Sequence, residues 1–442
     1  MTAHADTART ADVATHATHA VHVAEGDADL AAWAAAARAW LEAHAARRPR
    51  GATGSAWGEG SDDVSVFHDL SDDEEQAVLD RAMAWQVLKY DAGYGAIDWP
   101  VEAGGAGLTP AHRQAFEDAE ADFVTPGHHE TFSVTRNLVA PTLLAYGTPE
   151  QQRDLMPRFL RTTELCCQLF SEPGAGSDLA GLSTRAARDG DDWVVNGQKT
   201  WSSGARFARW GELIARTDVD VPKHAGQTAF VIPMDLPGIT IVPIRQMSGG
   251  ASFNEVFFDD VRVPDARRLG PIGEGWKVAL TTLGFERSTS GSDRGGQSVG
   301  GSWDRLRALA AHVGATGDPV VRQELASLYA LDRIRDFLAL RTLATVRGGG
   351  TPGPEASAGK LLWTQWMTRA GDAAAALLGP RIAADTGEWG TYAWAEHLLG
   401  APGYRIAGGS DEVQRTIIAE RVLGLPREPD PNRGKAFRDI PR

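Results

Sequence analysis

Cysteine is nearly absent from this 442-residue chain, which has only Cys166 and Cys167, side by side. Neighbours in sequence cannot close a useful loop by a disulfide, and no Cys spacing suits a metal. The chain therefore reads as one of a reducing compartment, with a cytoplasmic location expected. Positive charge is also short: Lys and Arg number 44 against 58 Asp and Glu, a formal charge of −14. Nucleic acid is then not expected as a partner, because phosphate binding needs clustered cations. A local pocket of a few cations would still suffice for an anionic small ligand. No apolar run reaches the roughly 18–20 residues that a membrane helix needs, so no membrane span is expected. Residues 1–26, rich in Ala, Thr and His, lack the apolar core of a signal peptide and read as a disordered tail. His16, His19 and His22 in that tail read as solvated, and no metal is expected. Two nucleotide signatures are missing. No strand–GxGxxG–helix unit occurs, and Gly353–Lys360 has the wrong spacing for a P-loop, with Leu361 after the lysine. That stretch reads as a linker before a helix.

What is present changes period twice. With 442 residues, 43% of them hydrophobic, two or three folding units are expected. Residues 27–163 read as helical: Leu30, Trp33, Ala37, Trp40 and Leu41 share one face, and further helices are expected over Asp72–Tyr90, Pro110–Ala121 and Pro149–Leu160. Thr148 before Pro149 reads as an N-cap followed by Pro at the first helical position. Residues 164–275 carry short β-rich runs such as Leu213-Ile214-Ala215 and Ala229-Phe230-Val231-Ile232, separated by Gly, Pro and Asn-Gly punctuation. That pattern suits a small barrel or sandwich. Residues 276–442 return to helix through Trp303–Val313, Val320–Arg347, Ser357–Leu378 and Glu412–Leu423. The fold class expected is α+β, not doubly wound.

Two segments carry the chemistry. Gln168-Leu169-Phe170-Ser171-Glu172-Pro173-Gly174-Ala175-Gly176-Ser177-Asp178 places Pro and two glycines next to a strand, exposing backbone N–H groups to a ligand. Asn196-Gly197-Gln198-Lys199-Thr200-Trp201-Ser202-Ser203-Gly204-Ala205 follows, with an aromatic plane beside hydroxyls, which suits a flat heterocycle. A third segment, Ile406-Ala407-Gly408-Gly409-Ser410-Asp411-Glu412-Val413-Gln414-Arg415, precedes a closing helix.

In this order the three segments resemble the acyl-CoA dehydrogenase family, over almost the whole chain from about residue 27. The resemblance implies a helical domain, a central β domain and a C-terminal four-helix bundle. It implies FAD as cofactor, an acyl-CoA substrate, an electron-transfer flavoprotein as electron acceptor, and a homodimer or homotetramer, with a heterotetramer as an alternative. Gln168, Phe170 and Ser171 would border the isoalloxazine ring, Trp201 would stack near it and Ser203 would bond its N5 side. Ser410 and Glu412 would touch FAD, and Ser177 the CoA arm. Many members carry the catalytic glutamate in a Glu-Gly-Thr triplet, but Gly408-Gly409-Ser410 stands there. A second family solution places it before an arginine on the first C-terminal helix, matching Glu286-Arg287. Glu286 is therefore the expected base and Arg287 a CoA-arm contact, while Gly408 would keep its N–H for the thioester oxygen.

The family's Arg-x-Thr-Phe-Gly and Gln-x-x-Gly-Gly segments are missing; Asp318–Gln323 and Leu377–Pro380 stand in their places. Residues 288–303 hold five glycines, each weakening a helix by about 1 kcal/mol relative to Ala. Either the helix breaks there or the glycines leave room for a wide acyl group. Two other readings stay open: a flavin oxidase or monooxygenase of the same fold, and a non-catalytic partner chain of a heteromeric dehydrogenase.

Overall fold

A computed structural model describes residues 26–48, 57–127, 129–289, 300–347, 350 and 353–441. The histidine-bearing tail and Gly291, Gly295 and Gly296 lie outside the described residues. Helix α1 (Gly26–His44) buries Ala37 and Leu41 against α3 (Pro110–Glu120), with Phe116 and Phe123 in the same cluster. Between them in sequence comes α2 (Asp72–Asp91), whose start is held by the Glu74 carboxylate accepting the Ser71 N–H at 2.9 Å. The short strands β1 (Ala46–Arg47) and β2 (Phe123–Val124) pair antiparallel. A continuous helical stretch runs from α4 (Glu130–Phe132) through a π-helical segment, Ser133–Val139, into α5 (Ala140–Tyr146). The start of α6 (Pro149–Arg161) is a reciprocal cap: Thr148 Oγ1 accepts the Gln151 N–H at 3.2 Å, and the Gln151 side-chain oxygen accepts the Thr148 N–H at 2.9 Å.

The central strands are β3 (Cys166–Leu169), β4 (Arg185–Asp189), β5 (Asp192–Ser203), β6 (Trp210–Arg216), β7 (Gln227–Pro233), β8 (Ile239–Ile244), β9 (Phe253–Pro264) and β10 (Arg268–Leu269). They lie in the order β10-β7-β6-β4-β5-β9-β8, with β3 alongside β6. The pairing of β3 with β6 is parallel and sets Gln168 opposite Glu212. Every residue of β6 is buried, as expected for a strand covered on both faces. One face, with Cys167, Leu169, Leu213 and Phe230, fills the sheet's own core. The other, with Cys166, Trp210, Ile214 and Val231, meets residues of α5, α6 and α7 (Gly275–Thr289).

Asn196-Gly197 is not a break between strands. β5 runs through it, and the register with β9 shifts there as a bulge. Asn196 and Asp260 clasp each other across the shift, by side-chain and backbone bonds of 2.9 Å. Gly197 is required because a Cβ would lie 2.5 Å from Thr184 Oγ1. Ladder pairing on both sides keeps the chain extended, which a dipeptide turn signal cannot reveal.

The C-terminal helices are α8 (Trp303–His312), α9 (Pro319–Arg347), α10 (Ser357–Leu378), α11 (Ala393–Ile406) and α12 (Asp411–Ile417), the last continuing as a π turn through Ile418–Val422. Trp366, Met367, Ala370 and Ala374 of α10 form the middle of this core, and Val64 and Val66 plug it from the N-terminal half. Of the glycine run 288–303, Gly300 and Gly301 are packing glycines: a Cβ on Gly301 would lie 2.3 Å from the Trp394 ring. Among the described residues no helix is long and apolar enough to cross a membrane.

Candidate active site

The Pro-Gly loop after β3 is braced from below. Glu172 is buried, its Oε2 accepting the Ser183 N–H at 2.6 Å and its Oε1 the Thr184 N–H at 2.8 Å. Lys199 Nζ donates to Glu172 Oε1 and to the Phe170 carbonyl, both at 2.9 Å. Burial pulls the Lys199 ammonium down to about 8, against the Glu172 carboxylate, which works to hold it up. On the partner, burial works to raise the Glu172 carboxyl, but Lys199 and the backbone donors win and hold it below its ordinary value. The Thr200 N–H donates to the Ser171 carbonyl at 2.9 Å. The first two motifs are thus one assembly.

On that assembly Phe170 is buried in the core shared with the helices, Ser171 is half-buried and Ser177 is exposed. Gln168 presents a buried side-chain nitrogen with no hydrogen-bond partner among the described residues. Trp201 sits in the second register shift of β5, at φ +59°, and remains 58% exposed despite its size. A non-glycine residue at positive φ carries strain that the surrounding ladder must hold. Trp201 meets Phe253 edge-on at 5.8 Å, Phe253 meets Phe67 at 5.3 Å, and Phe67 stacks on Tyr404 at 5.0 Å. The Ser203 hydroxyl donates to Glu130 Oε1 at 3.3 Å. Glu130 is exposed, yet the protein mass around it pushes its carboxyl up, against the field of His129. His129 and His68 converge on Glu75, the three ligand atoms lying within 4.8 Å of one another, but the Arg206 guanidinium already pairs with the other Glu75 oxygen. That pairing makes the group an ion-paired tie between α2 and the turn after β5.

Glu286 lies at the end of α7, one turn beyond Thr282. Thr282 is fully buried and donates to Glu212 Oε1 at 2.8 Å, while its hydroxyl is 3.0 Å from that of Thr142 on α5. Glu212 is itself fully buried, and its Oε2 has no hydrogen-bond partner among the described residues. Burial pushes its carboxyl up to about 8, with Thr282 working to lower it, so it is mostly protonated at neutral pH. From this anchor α7 carries Glu286 toward the α11–α12 connection. There Gly408 has φ +65°, and a Cβ built on it would lie 3.3 Å from Glu286 Oε1. Gln414 Nε2 donates to the Gly408 carbonyl at 2.8 Å, and Lys360 Nζ to the Gly409 carbonyl at 2.8 Å. Ser410 caps α12 by accepting the Val413 N–H at 3.3 Å. Ser177, Ser410 and Glu412 line one concavity of about 270 Å³ together with Val413, Thr416 and Ile417. The structure therefore unites Glu286 with Gly408, and Ser177 with Ser410 and Glu412. Arg287 lies on α7, but its side chain is outside the described residues.

Family models for the acyl-CoA dehydrogenase N-terminal, middle and C-terminal domains match residues 67–163, 167–261 and 273–423. The acyl-CoA dehydrogenase IpdE1 of Mycobacterium tuberculosis is 42% identical over 358 residues, 80% of this chain and 90% of that protein. The chain belongs to the acyl-CoA dehydrogenase family. FadE34 of the same organism is 38% identical over 344 residues, 77% of this chain but 46% of the relative. Among solved structures, the Tcur3481-Tcur3483 steroid ACAD superposes with a TM-score of 0.69 at 28% identity, over 91% of this chain and 99% of that one. The ChsE4-ChsE5 complex from Mycobacterium tuberculosis gives 0.66 at 26%, over 92% and 100%.

The protein is thus an acyl-CoA dehydrogenase oxidoreductase with the family's three-domain fold. Members of the family are FAD flavoproteins, and the residues present fit a flavin: Gln168 holds a buried amide nitrogen in need of an acceptor, and Trp201 is a large ring kept exposed on a strained bulge. Where the Arg-x-Thr-Phe-Gly and Gln-x-x-Gly-Gly segments are missing, Asp318 instead caps α9, accepting the Val320 N–H at 2.7 Å, and Leu377-Leu378 simply end α10. Sequence reasoning misses Lys360, Gln414, Tyr404, Glu130 and Glu212. Gln414 lies within the closing segment Ile406–Arg415; the other four carry no local signal.

Proposed function

We propose that this chain catalyses FAD-dependent α,β-dehydrogenation of an acyl-CoA thioester, with Glu286 as the base. The observation that carries the reading is the 3.3 Å between Glu286 Oε1 and the place where a side chain at position 408 would begin. The two family sources of the catalytic carboxylate thus address one point. Glu286 takes the α proton, while the Gly408 N–H donates to the thioester oxygen as enolate charge develops. FAD, when bound, accepts the β hydrogen with its electron pair, and the product is the α,β-enoyl thioester. Gln168, Ser171, Trp201 and Ser203 hold and orient the ring, Ser203 turning from Glu130 to do so. Phe170 acts from beneath, by setting the loop. Ser410 and Glu412 face the cofactor and Ser177 the CoA arm across their shared concavity, with Arg287 as a further CoA contact. An electron-transfer flavoprotein takes the electrons onward.

Relatives described as steroid ACADs and the two-component ChsE4-ChsE5 complex support a bulky, ring-bearing acyl group and assembly with like or related chains. The exposed apolar side chains Ile334, Phe337 and Leu340 on α9 favour such an assembly. The test is anaerobic titration with a panel of acyl-CoAs, following flavin absorbance, with Glu286→Gln alongside. Bleaching by one ester, lost in the variant while the ester still binds, supports the reading. Flavin that reacts rapidly with air and is bleached by no thioester would favour an oxidase. A chain that holds flavin only with a second chain would favour the heteromeric arrangement.

A further inference from the structure

Lys360 has a role that neither the motifs nor the reading above assigns. It lies in the first turn of α10, its side chain 6% exposed. An ammonium in that position loses hydration and needs compensation. Tying α10 to Asp411 does not explain it. Asp411 already accepts the Thr364 hydroxyl at 2.8 Å and Arg405 Nε at 2.9 Å, and Lys360 Nζ stays 3.9 Å away, beyond hydrogen-bond reach. Among the described residues its hydrogen bond goes instead to the Gly409 carbonyl at 2.8 Å. The peptide next to it is that of Gly408, which Gln414 grips by its carbonyl and which faces Glu286. Among the described residues, the ionisable groups acting on Lys360 are Asp411 and Glu412 of α12, Glu286 of α7 and Arg405 of α11. Tyr404 of α11 feels Glu286 and Glu130.

We infer that Lys360 is a positioning residue for the dehydrogenation: its ammonium pins the Gly408–Gly409 loop and holds the neighbouring Glu286 carboxyl in its charged, proton-accepting form. The inference rests on Glu286 being the base. A cation nearby favours the ionised carboxylate and so lowers its pKa. The same positive charge beside the loop assists the developing enolate oxygen. Burial draws the Lys360 ammonium downward, but the surrounding carboxylates oppose this.

The test compares Lys360→Met and Lys360→Gln in the flavin-loaded protein. Glutamine can still donate to the Gly409 carbonyl but has no charge, whereas methionine removes both. The acid limb of the kcat/KM–pH profile is expected to move alkaline by about one unit in both variants, a roughly tenfold loss below the limb. Lys360→Arg should restore the wild-type profile. Amide hydrogen exchange of residues 407–410 should accelerate in the Met variant and stay near wild type in the Gln variant. Unshifted profiles in both neutral variants would overturn the inference, and should Lys360→Met not fold, Lys360→Gln alone decides it. If Glu286→Gln keeps full activity, the base assignment fails first, visibly, and the charge part falls with it. Exchange at 407–410 in the Met variant then decides the loop part: faster exchange upholds it, unchanged exchange overturns it.

Discussion

Moving the carboxylate from α7 to the α11–α12 connection is the sharpest perturbation of the proposed base. From Cβ, a glutamate oxygen lies three bonds away, a reach of about 3–4 Å. The distance from the Cβ position of Gly408 to Glu286 Oε1 is 3.3 Å, so a glutamate at 408 delivers its oxygen to the place Glu286 now fills. Glu286→Ala alone should lower kcat by about 10²–10⁴-fold, the usual contribution of a positioned base. Adding Gly408→Glu should recover at least about tenfold of that. Recovery is incomplete because position 408 has φ +65°, where a residue with a Cβ costs about 1–2 kcal/mol. Gly408→Glu without the first change should be worse than wild type, since two carboxylates would crowd one spot and one would stay protonated. The assay is single-turnover flavin reduction by the best acyl-CoA, with thermal melting to confirm folding. If the double variant is folded, flavin-loaded and binds ester, yet reduces no faster than Glu286→Ala, the two positions do not serve one reacting carbon and the reasoning fails.

Lys199→Met leaves Glu172 buried without its cation and should destabilise the central domain by about 3–5 kcal/mol, read in urea unfolding. Gly301→Ala places a methyl 2.3 Å from the Trp394 ring and should cost about 1–3 kcal/mol, seen as a lower melting temperature. The Glu212 carboxyl is pushed up to about 8 in the fold, from an ordinary value of 4.5. Between those values the native state binds the extra proton, so stability should fall as pH rises through the window, by up to about 1.4 kcal/mol per unit. Glu212→Gln should flatten that slope in melting curves taken from pH 5 to 9, and an unchanged slope would show that Glu212 is not its source. Trp201→Ala should weaken flavin retention by about tenfold while leaving the flavin-free melting temperature nearly unmoved, because the ring is largely exposed and its backbone strained. Equal losses of flavin affinity and stability would refute a cofactor role for the ring.

The two Gly-rich motifs are legible because each needs its residues locally: glycines where backbone bends, Trp201 where a ring is displayed. Their union is legible only as an expectation, since the Thr200–Ser171 and Lys199–Glu172 bonds join residues that no periodicity relates. Asn196-Gly197 shows the limit of local signals. The dipeptide favours a turn, yet ladder pairs with β9 on both sides hold it inside a strand. Lys360 shows the same limit from the other direction. As a lysine near a helix start it looks like a solvated charge, and only the approach of the Gly409 carbonyl from 49 positions away makes it a candidate for the site.

Why the proposed base would stand on α7 follows from what anchors each candidate position. Glu286 extends from a helix fixed one turn earlier by Thr282, which bonds both the sheet through Glu212 and the N-terminal domain through Thr142. A carboxylate carried there is held by the junction of all three domains. Position 408 stands in a connection of two positive-φ glycines, where a side chain would be strained and held only by its own loop. With the carboxylate on the helix, the loop is free to be glycine and to present its N–H closely to a ligand oxygen. It then depends on side chains from elsewhere for its shape, and Gln414 and Lys360 supply that by gripping its two carbonyls. The exchange of a loop carboxylate for a helical one thus moves the burden of precision from the α11–α12 connection to the packing of α7. Substitutions at Thr282 and Thr142, which would act through the placement of α7, should therefore lower kcat more than they raise KM in steady-state kinetics.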